Sequence, residues 1–200
     1  MNPLREQLPH LRARRVDQLK ALRTAKRAVD FNYSELGVTA GELPAGYRHV
    51  DRSWDLGHGA PCFEAAKRAL FAWRALPSWL HAHPNPVTAP DGSVLILQMH
   101  LFGLWWISAA RLLPAEGRED GARVAALTYG ALPGHHARGE ERFEVRHCDD
   151  DRVVYRLRSF SRWKKILPRL MPPLANHLQA RFAADSGANM IAAVREELKS

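Results

Sequence analysis

Residues 93–102 read Ser-Val-Leu-Ile-Leu-Gln-Met-His-Leu-Phe, and in this stretch the spacing of apolar side chains turns from helical to alternating. Leu95, Leu97, Met99 and Leu101 fall on one side and Gln98 and His100 on the other, the two-residue period of a strand. Gly103 bends the run, and Leu104–Leu113 continues as a second strand or a strongly curved extension. The pattern then recurs. Arg123–Leu132 sets Leu127 and Tyr129 opposite Val124, Ala126 and Thr128. Glu141–His147 and Arg152–Phe160 flank Asp149-Asp150-Asp151, a hairpin signature. Val153, Tyr155 and Leu157 alternate with Arg156 and Arg158, so that strand has one wet face.

Upstream, residues 10–28 read as a helix after Pro9, with Leu11, Val16, Leu19 and Leu22 on one broad side. Gly37, Gly41, Pro44 and Gly46 break the chain into a loop. Tyr47–Leu56 reads as a short strand. Gly57-His58-Gly59 turns it into a helix with Pro61 near its start, carrying Phe63, Ala66, Leu70 and Trp73 at three- and four-residue steps. Pro77 ends that helix, and Ser78–His83 is expected to add one further turn. Downstream, after Pro172-Pro173, the chain is helical, with Leu174, Leu178, Phe182, Met190, Val194 and Leu198 on four-residue steps. Gly187 interrupts the pattern at a cost of about 1 kcal/mol relative to Ala, and either kinks the helix or lets its backbone approach a sheet.

Strands that run together with segregated helices predict an α+β fold: a curved antiparallel sheet wrapped on a long C-terminal helix. Two units are expected, a basic helical N-terminal arm (residues 1–30) and an α+β domain (residues 31–200). Leu95, Leu97, Met99, Leu127 and the Leu174/Leu178/Phe182 stripe should line one apolar volume between sheet and helix.

Composition narrows the function. In 200 residues, 46% are apolar and 25% charged, which excludes a disordered or low-complexity chain. Two cysteines cannot frame a secreted disulfide scaffold. The uncharged stretch Val94–Ala110 is shorter than the roughly 20 residues of a membrane span, no secretory signal is visible, and a cytoplasmic location is expected. The net charge is +8, and the first thirty residues carry much of the excess. Arg12, Arg14, Arg15, Lys20, Arg23, Lys26 and Arg27 are therefore candidate contacts to nucleic acid or an anionic membrane, or else a solvated helix face.

Several spaced motifs occur in one order: Asn32-Tyr33 followed by Gly37; Gly57-x-Gly59 with Phe63, Ala66, Leu70 and Trp73; Tyr129-Gly130-x-Leu132-x-Gly134-His135; Gly139-Glu140-Glu141-x-Phe143; and Phe160-Ser161-Arg162. Over residues 31–197 the chain resembles the bacterial and plant family catalogued as domain of unknown function 1990. It departs from the family pattern at Trp163, where Pro is common, and at Ala131, where Thr is usual. The resemblance implies a START-like helix-grip fold, similar to the plant pollen allergens, whose members bind apolar ligands between sheet and helix. No catalytic residue carries over from it.

Tyr129, His135, Glu140, Glu141 and Arg162 form the most suggestive polar set. Tyr129 shares a strand face with Leu127, so its hydroxyl points toward the expected cavity. The turn between Gly134 and Gly139 is expected to fold His135 and Glu140 back toward Tyr129. Adjacent glutamates on a strand take opposite faces, so one of Glu140 and Glu141 faces outward. Met99, Trp105 and Leu178 are candidate apolar contacts, or simply core. Ten histidines form no quartet with zinc spacing, so neither metal nor cofactor is expected. Cys62 stands at a predicted helix start, where a low-pKa thiol would sit. The favoured reading is a binder of a small apolar or amphipathic ligand. The alternatives are a nucleic-acid or membrane-surface module working through the arm, and an enzyme using His135 with Glu140 or Glu141.

Overall fold

The computed structural model of the chain describes residues 9–84, 92–113, 123–163 and 172–199, with side chains in the last helix described from Asn176 onward. Helix α1 spans Val16–Ala25, and a short 3₁₀ turn covers Val38–Ala40. Strand β1 (Arg48–His58) leads into α2 (Gly59–Phe71). Six strands follow: β2 (Leu80–His83), β3 (Val94–Leu101), β4 (Leu104–Leu112), β5 (Arg123–Ala131), β6 (Ala137–His147) and β7 (Arg152–Trp163). Helix α3 closes the fold as Pro172–Glu197.

The seven strands form one antiparallel sheet in the order β1-β7-β6-β5-β4-β3-β2. Each strand after β2 pairs with its sequence neighbour, and β1 joins the far edge beside β7. The expected α+β architecture, a curved antiparallel sheet wrapped on the C-terminal helix, is what the structure shows. The β3–β4 pair turns at Phe102-Gly103, both at positive φ, in a two-residue hairpin rather than a bend within one run.

The two faces of the sheet hold different cores. On the concave face, Leu95, Leu97, Ala110, Leu112, Leu127, Phe143, Val145, Val153 and Leu157 pack with α2 and α3. Helix α2 sits close because its buried side is mostly small, with Ala65, Ala66 and Ala69 between Phe63 and Leu70. On the convex face, Val94, Ile96, Ile107, Ala109 and Leu132 pack with Leu19 and Leu22 of α1.

The arm is thus docked on the sheet. Leu19 is only 2% exposed, and the Arg111 guanidinium donates to the carbonyls of Lys26, Arg27 and Val29 at 2.8–3.0 Å, tying down the chain just after α1. The helix is shorter than its apolar spacing suggests. Before Val16 the chain is not helical: it bends at Leu11 and Arg12, and His10 pairs its backbone with Trp105 in an isolated bridge. Leu11, expected on the apolar side of a helix, is exposed instead.

Ser78–His83 also differs from expectation. Leu80–His83 is edge strand β2, with Leu80 and Ala82 inward and His81 and His83 outward, an alternation too short to outweigh the helical pattern before it. Helix α3 runs unbroken past Gly187, which answers the choice left by the sequence. A Cβ there would fall inside the indole of Trp54, so this glycine brings helix and strand β1 into direct contact. Met190, Ala193 and Val194 then bury the following turns.

Candidate functional site inside the grip

Strand alternation decides what enters the space between sheet and α3. Tyr129 stands opposite Glu141, and Leu127 opposite Phe143. Tyr129, Leu127 and Phe143 belong to the concave core, so Glu141 shares their face, and Glu140 points the other way. The Tyr129 hydroxyl donates to the Glu141 carboxyl. One strand over, the Tyr155 and Ser186 hydroxyls bond at 2.7 Å, linking β7 to α3.

Burial raises the Glu141 carboxyl from the ordinary 4.5 to about 7, against the lowering effect of the Tyr129 hydrogen bond. Burial, and then the neighbouring Glu141 charge, pushes the Tyr129 hydroxyl well above its ordinary value. A carboxyl raised in the fold binds its proton more tightly than in the unfolded chain. Its cost to stability is therefore absent below about pH 4.5, grows as pH rises, and is complete above about 7. Glu141→Gln is expected to remove that dependence, stabilising the chain by about 2–3 kcal/mol at pH 8 and by almost nothing at pH 4. Urea titrations across this range check it.

Trp73 is the residue that the sequence hides. It lies just past the end of α2 with φ at 58°, a left-handed conformation that costs a bulky side chain energy. The indole is buried against the Tyr129 ring at 6.4 Å and the Phe143 ring at 6.3 Å. Its Nε1–H has no hydrogen-bond partner among the described residues, and neither has the buried hydroxyl of Ser108 on β4. A strained backbone that delivers an unpaired donor into an aromatic interior is the kind of outlier that marks a site. Helical spacing assigns Trp73 to the packed stripe of α2, its aromatic bulk suits core or pocket wall alike, and nothing in the sequence reports its backbone angle. Glu141 did carry a readable signal, since it has the same parity as Phe143 and Val145 along β6.

The other polar sequence candidates lie elsewhere. Glu140 is 3% exposed on the convex face. It accepts from the Tyr33 hydroxyl at 3.0 Å, the Gly37 N–H at 2.8 Å, the Thr39 N–H at 3.2 Å and the Thr39 hydroxyl. His135 sits in the β5–β6 turn, where its Nδ1 lies 3.0 Å from the Ala137 N–H. Tyr129, His135 and Glu140 therefore do not converge, because Glu140 and Tyr129 occupy opposite faces of the sheet. Arg162 donates to the Gly46 carbonyl at 3.0 Å and covers the Tyr47 ring. Trp105 also faces outward, stacked with His100 at 4.6 Å and His81 at 6.1 Å. Met99 packs on the concave core, and Leu178 is half-buried on α3. The Leu174 side chain lies outside the described residues.

Cys62 is buried, and burial followed by the Asp55 charge raises its thiol pKa, so it is not an activated nucleophile. Of the basic set, Arg12, Arg15, Lys20 and Arg27 are exposed, Arg23 is half-buried, Lys26 donates to the Pro133 carbonyl, and the Arg14 N–H donates to Gln98. Beneath them, His10, Arg14, Leu22, Lys26 and Ile96 help line a cavity of about 30 Å³. That is room for one or two waters, not for an organic ligand. No group of side chains among the described residues is arranged to hold a metal ion, and no described helix is long and apolar enough to cross a membrane.

A helix-grip protein is what this sheet, this helix and the face they share amount to. The chain belongs to the family described as domain of unknown function (DUF1990), whose model matches residues 32–189. A UPF0548 protein of Dictyostelium discoideum is 30% identical over 149 residues, covering 70% of this chain and 69% of that one. A UPF0548 protein of Deinococcus radiodurans is 29% identical over 164 residues, 76% and 81% of the two chains. Among solved structures, a hypothetical protein from Helicobacter pylori is similar in fold, with a TM-score of 0.52, 12% identity and coverage of 75% and 90%.

Proposed function

We propose that this chain binds a small, mainly apolar ligand between the concave sheet face and α3, and that the ligand carries a hydrogen-bond acceptor such as a carbonyl. The observation that carries the reading is the Nε1–H of Trp73, which has no partner among the described residues and is buried beside Tyr129 and Phe143. Leaving such a donor unsatisfied costs about 1–3 kcal/mol, which an acceptor brought by a ligand would recover. The aromatic rings of Phe143, Phe182 and Trp79 supply apolar wall, and the Glu141–Tyr129 pair supplies a second polar contact on the same face. Apolar walls with a few placed polar groups are the usual make-up of a small-molecule site.

The test is native mass spectrometry of the purified chain, followed by displacement of a neutral apolar dye such as Nile red. A retained small molecule that displaces the dye is expected. Trp73→Phe keeps the ring and removes the donor, so it should weaken binding of that molecule about tenfold, or about 1.4 kcal/mol, with little change in melting temperature. A chain that carries nothing and binds no dye, or a Trp73→Phe variant that binds as well as the parent, would overturn the reading.

A further inference from the structure

The β3–β4 hairpin ends in Phe102, which is 67% exposed and held at φ 55°. Three residues on, Trp105 forms the backbone bridge to His10, with both N–H···O bonds at 2.8 Å. The bridge fixes His10 to the hairpin and so places Leu11 next to it. Leu11 there is 86% exposed, the most exposed large apolar side chain among the described residues. Val16, at the start of α1, is also exposed. Two large apolar side chains held in water by backbone hydrogen bonds and a tight turn are not leftovers of loose packing.

The charge around them is mostly positive, with Asp17 paired to Arg15 at 3.1 Å. Across residues 9–29, 78–84 and 92–113 the sequence holds a single carboxylate, Asp17, while residues 9–29 alone hold seven arginines and lysines. Arg12 directly follows Leu11 and is exposed, Arg15 is exposed at the start of α1, and Lys20 lies one turn beyond Val16. Exposed apolar side chains ringed by cations match an anionic lipid surface, where the apolar groups enter the headgroup boundary and the cations meet phosphate and carboxylate. A nucleic acid would reward the cations and could stack a base on Phe102, but Leu11 has no ring for a base to stack on, whereas a lipid interface takes both apolar side chains.

We propose that the β3–β4 hairpin tip and the bridged segment 10–15 form one docking surface for an anionic membrane, with Phe102 and Leu11 entering the interface and Arg12, Arg15 and Lys20 engaging headgroups. The proposal is independent of what occupies the interior.

The full chain is sedimented with vesicles of about three parts phosphatidylcholine to one part phosphatidylserine, with phosphatidylcholine alone for comparison. Binding to the anionic vesicles is expected, weakening as salt rises. Leu11→Ser with Phe102→Asn should lower the partition coefficient about tenfold or more, since asparagine tolerates the left-handed turn. Arg12→Glu with Arg15→Glu should lower it comparably at low salt. Both double variants should melt as the parent does, because the four side chains are exposed. Failure to sediment with phosphatidylserine vesicles would overturn the proposal. So would a Leu11→Ser, Phe102→Asn variant that binds as the parent does, or binding to single- or double-stranded oligonucleotides in place of vesicles.

Discussion

Glu140→Ala is expected to lower the unfolding free energy by about 3–5 kcal/mol, a loss visible as an earlier urea midpoint at unchanged slope. The Glu140 carboxylate is buried on the convex face and accepts from Tyr33, from the backbone N–H of Gly37 and from both the N–H and hydroxyl of Thr39. Hydrogen bonds to a charged group contribute about 1.5–3 kcal/mol each, offset by the cost of burying the charge, and removing the acceptor leaves all four donors unpaired. Glu140→Gln retains an accepting oxygen and should lose less. The contrast with Trp73→Phe is diagnostic. One variant should unfold early, while the other should fold normally and bind poorly. A Glu140→Ala chain as stable as the parent would mean that segment 31–41 is held by something other than this carboxylate.

Gly187→Ala is expected to cost about 3 kcal/mol, the upper range for overpacking a core. In an exposed mid-helix position the same change would stabilise by about 1 kcal/mol, so the sign reports the contact. The Cβ would lie within the Trp54 indole, which cannot retreat easily because it is stacked on Tyr155 at 5.5 Å. A second change, Trp54→Leu, should recover part of the loss, and chemical denaturation of the single and double variants measures it. Additive losses would show that helix and strand do not meet there.

Most of the architecture was legible because this sheet follows the rules that make patterns readable. Strands β3 to β7 alternate, turn at Gly103 and at the three aspartates, and pair with their sequence neighbours. Where the pattern was too short to outweigh its surroundings, at Leu80–His83, the reading was wrong. The site was less legible for two physical reasons. The face taken by each glutamate depends on register, and the deciding signal was the parity of Phe143 and Val145 rather than the glutamates themselves. The role of Trp73 depends on one backbone angle, which no spacing records. The motif pair Asn32-Tyr33…Gly37 and Gly139-Glu140-Glu141 shows a third limit. Its two halves meet over a carboxylate from more than a hundred residues apart, a contact that only the folded chain reveals.

The pairing of β1 with β7 has a consequence for how the chain is made. Arg48 stands opposite Ser161, and Asp51 is held by Arg156 at 2.7 Å and Arg158 at 3.2 Å. On a ribosome, β1 emerges before the other described strands of this sheet, yet its partner β7 is the last of them to be made, so β1 must wait about a hundred residues of synthesis with its ladder groups unpaired. Loop closure over that length is paid before any of its contacts form, which makes this pairing a slow step of folding. During that wait β1 is a free edge. Its charged residues, Arg48, Asp51, Arg52 and Asp55, keep such an edge soluble and turn aside other nascent strands until the proper neighbour arrives.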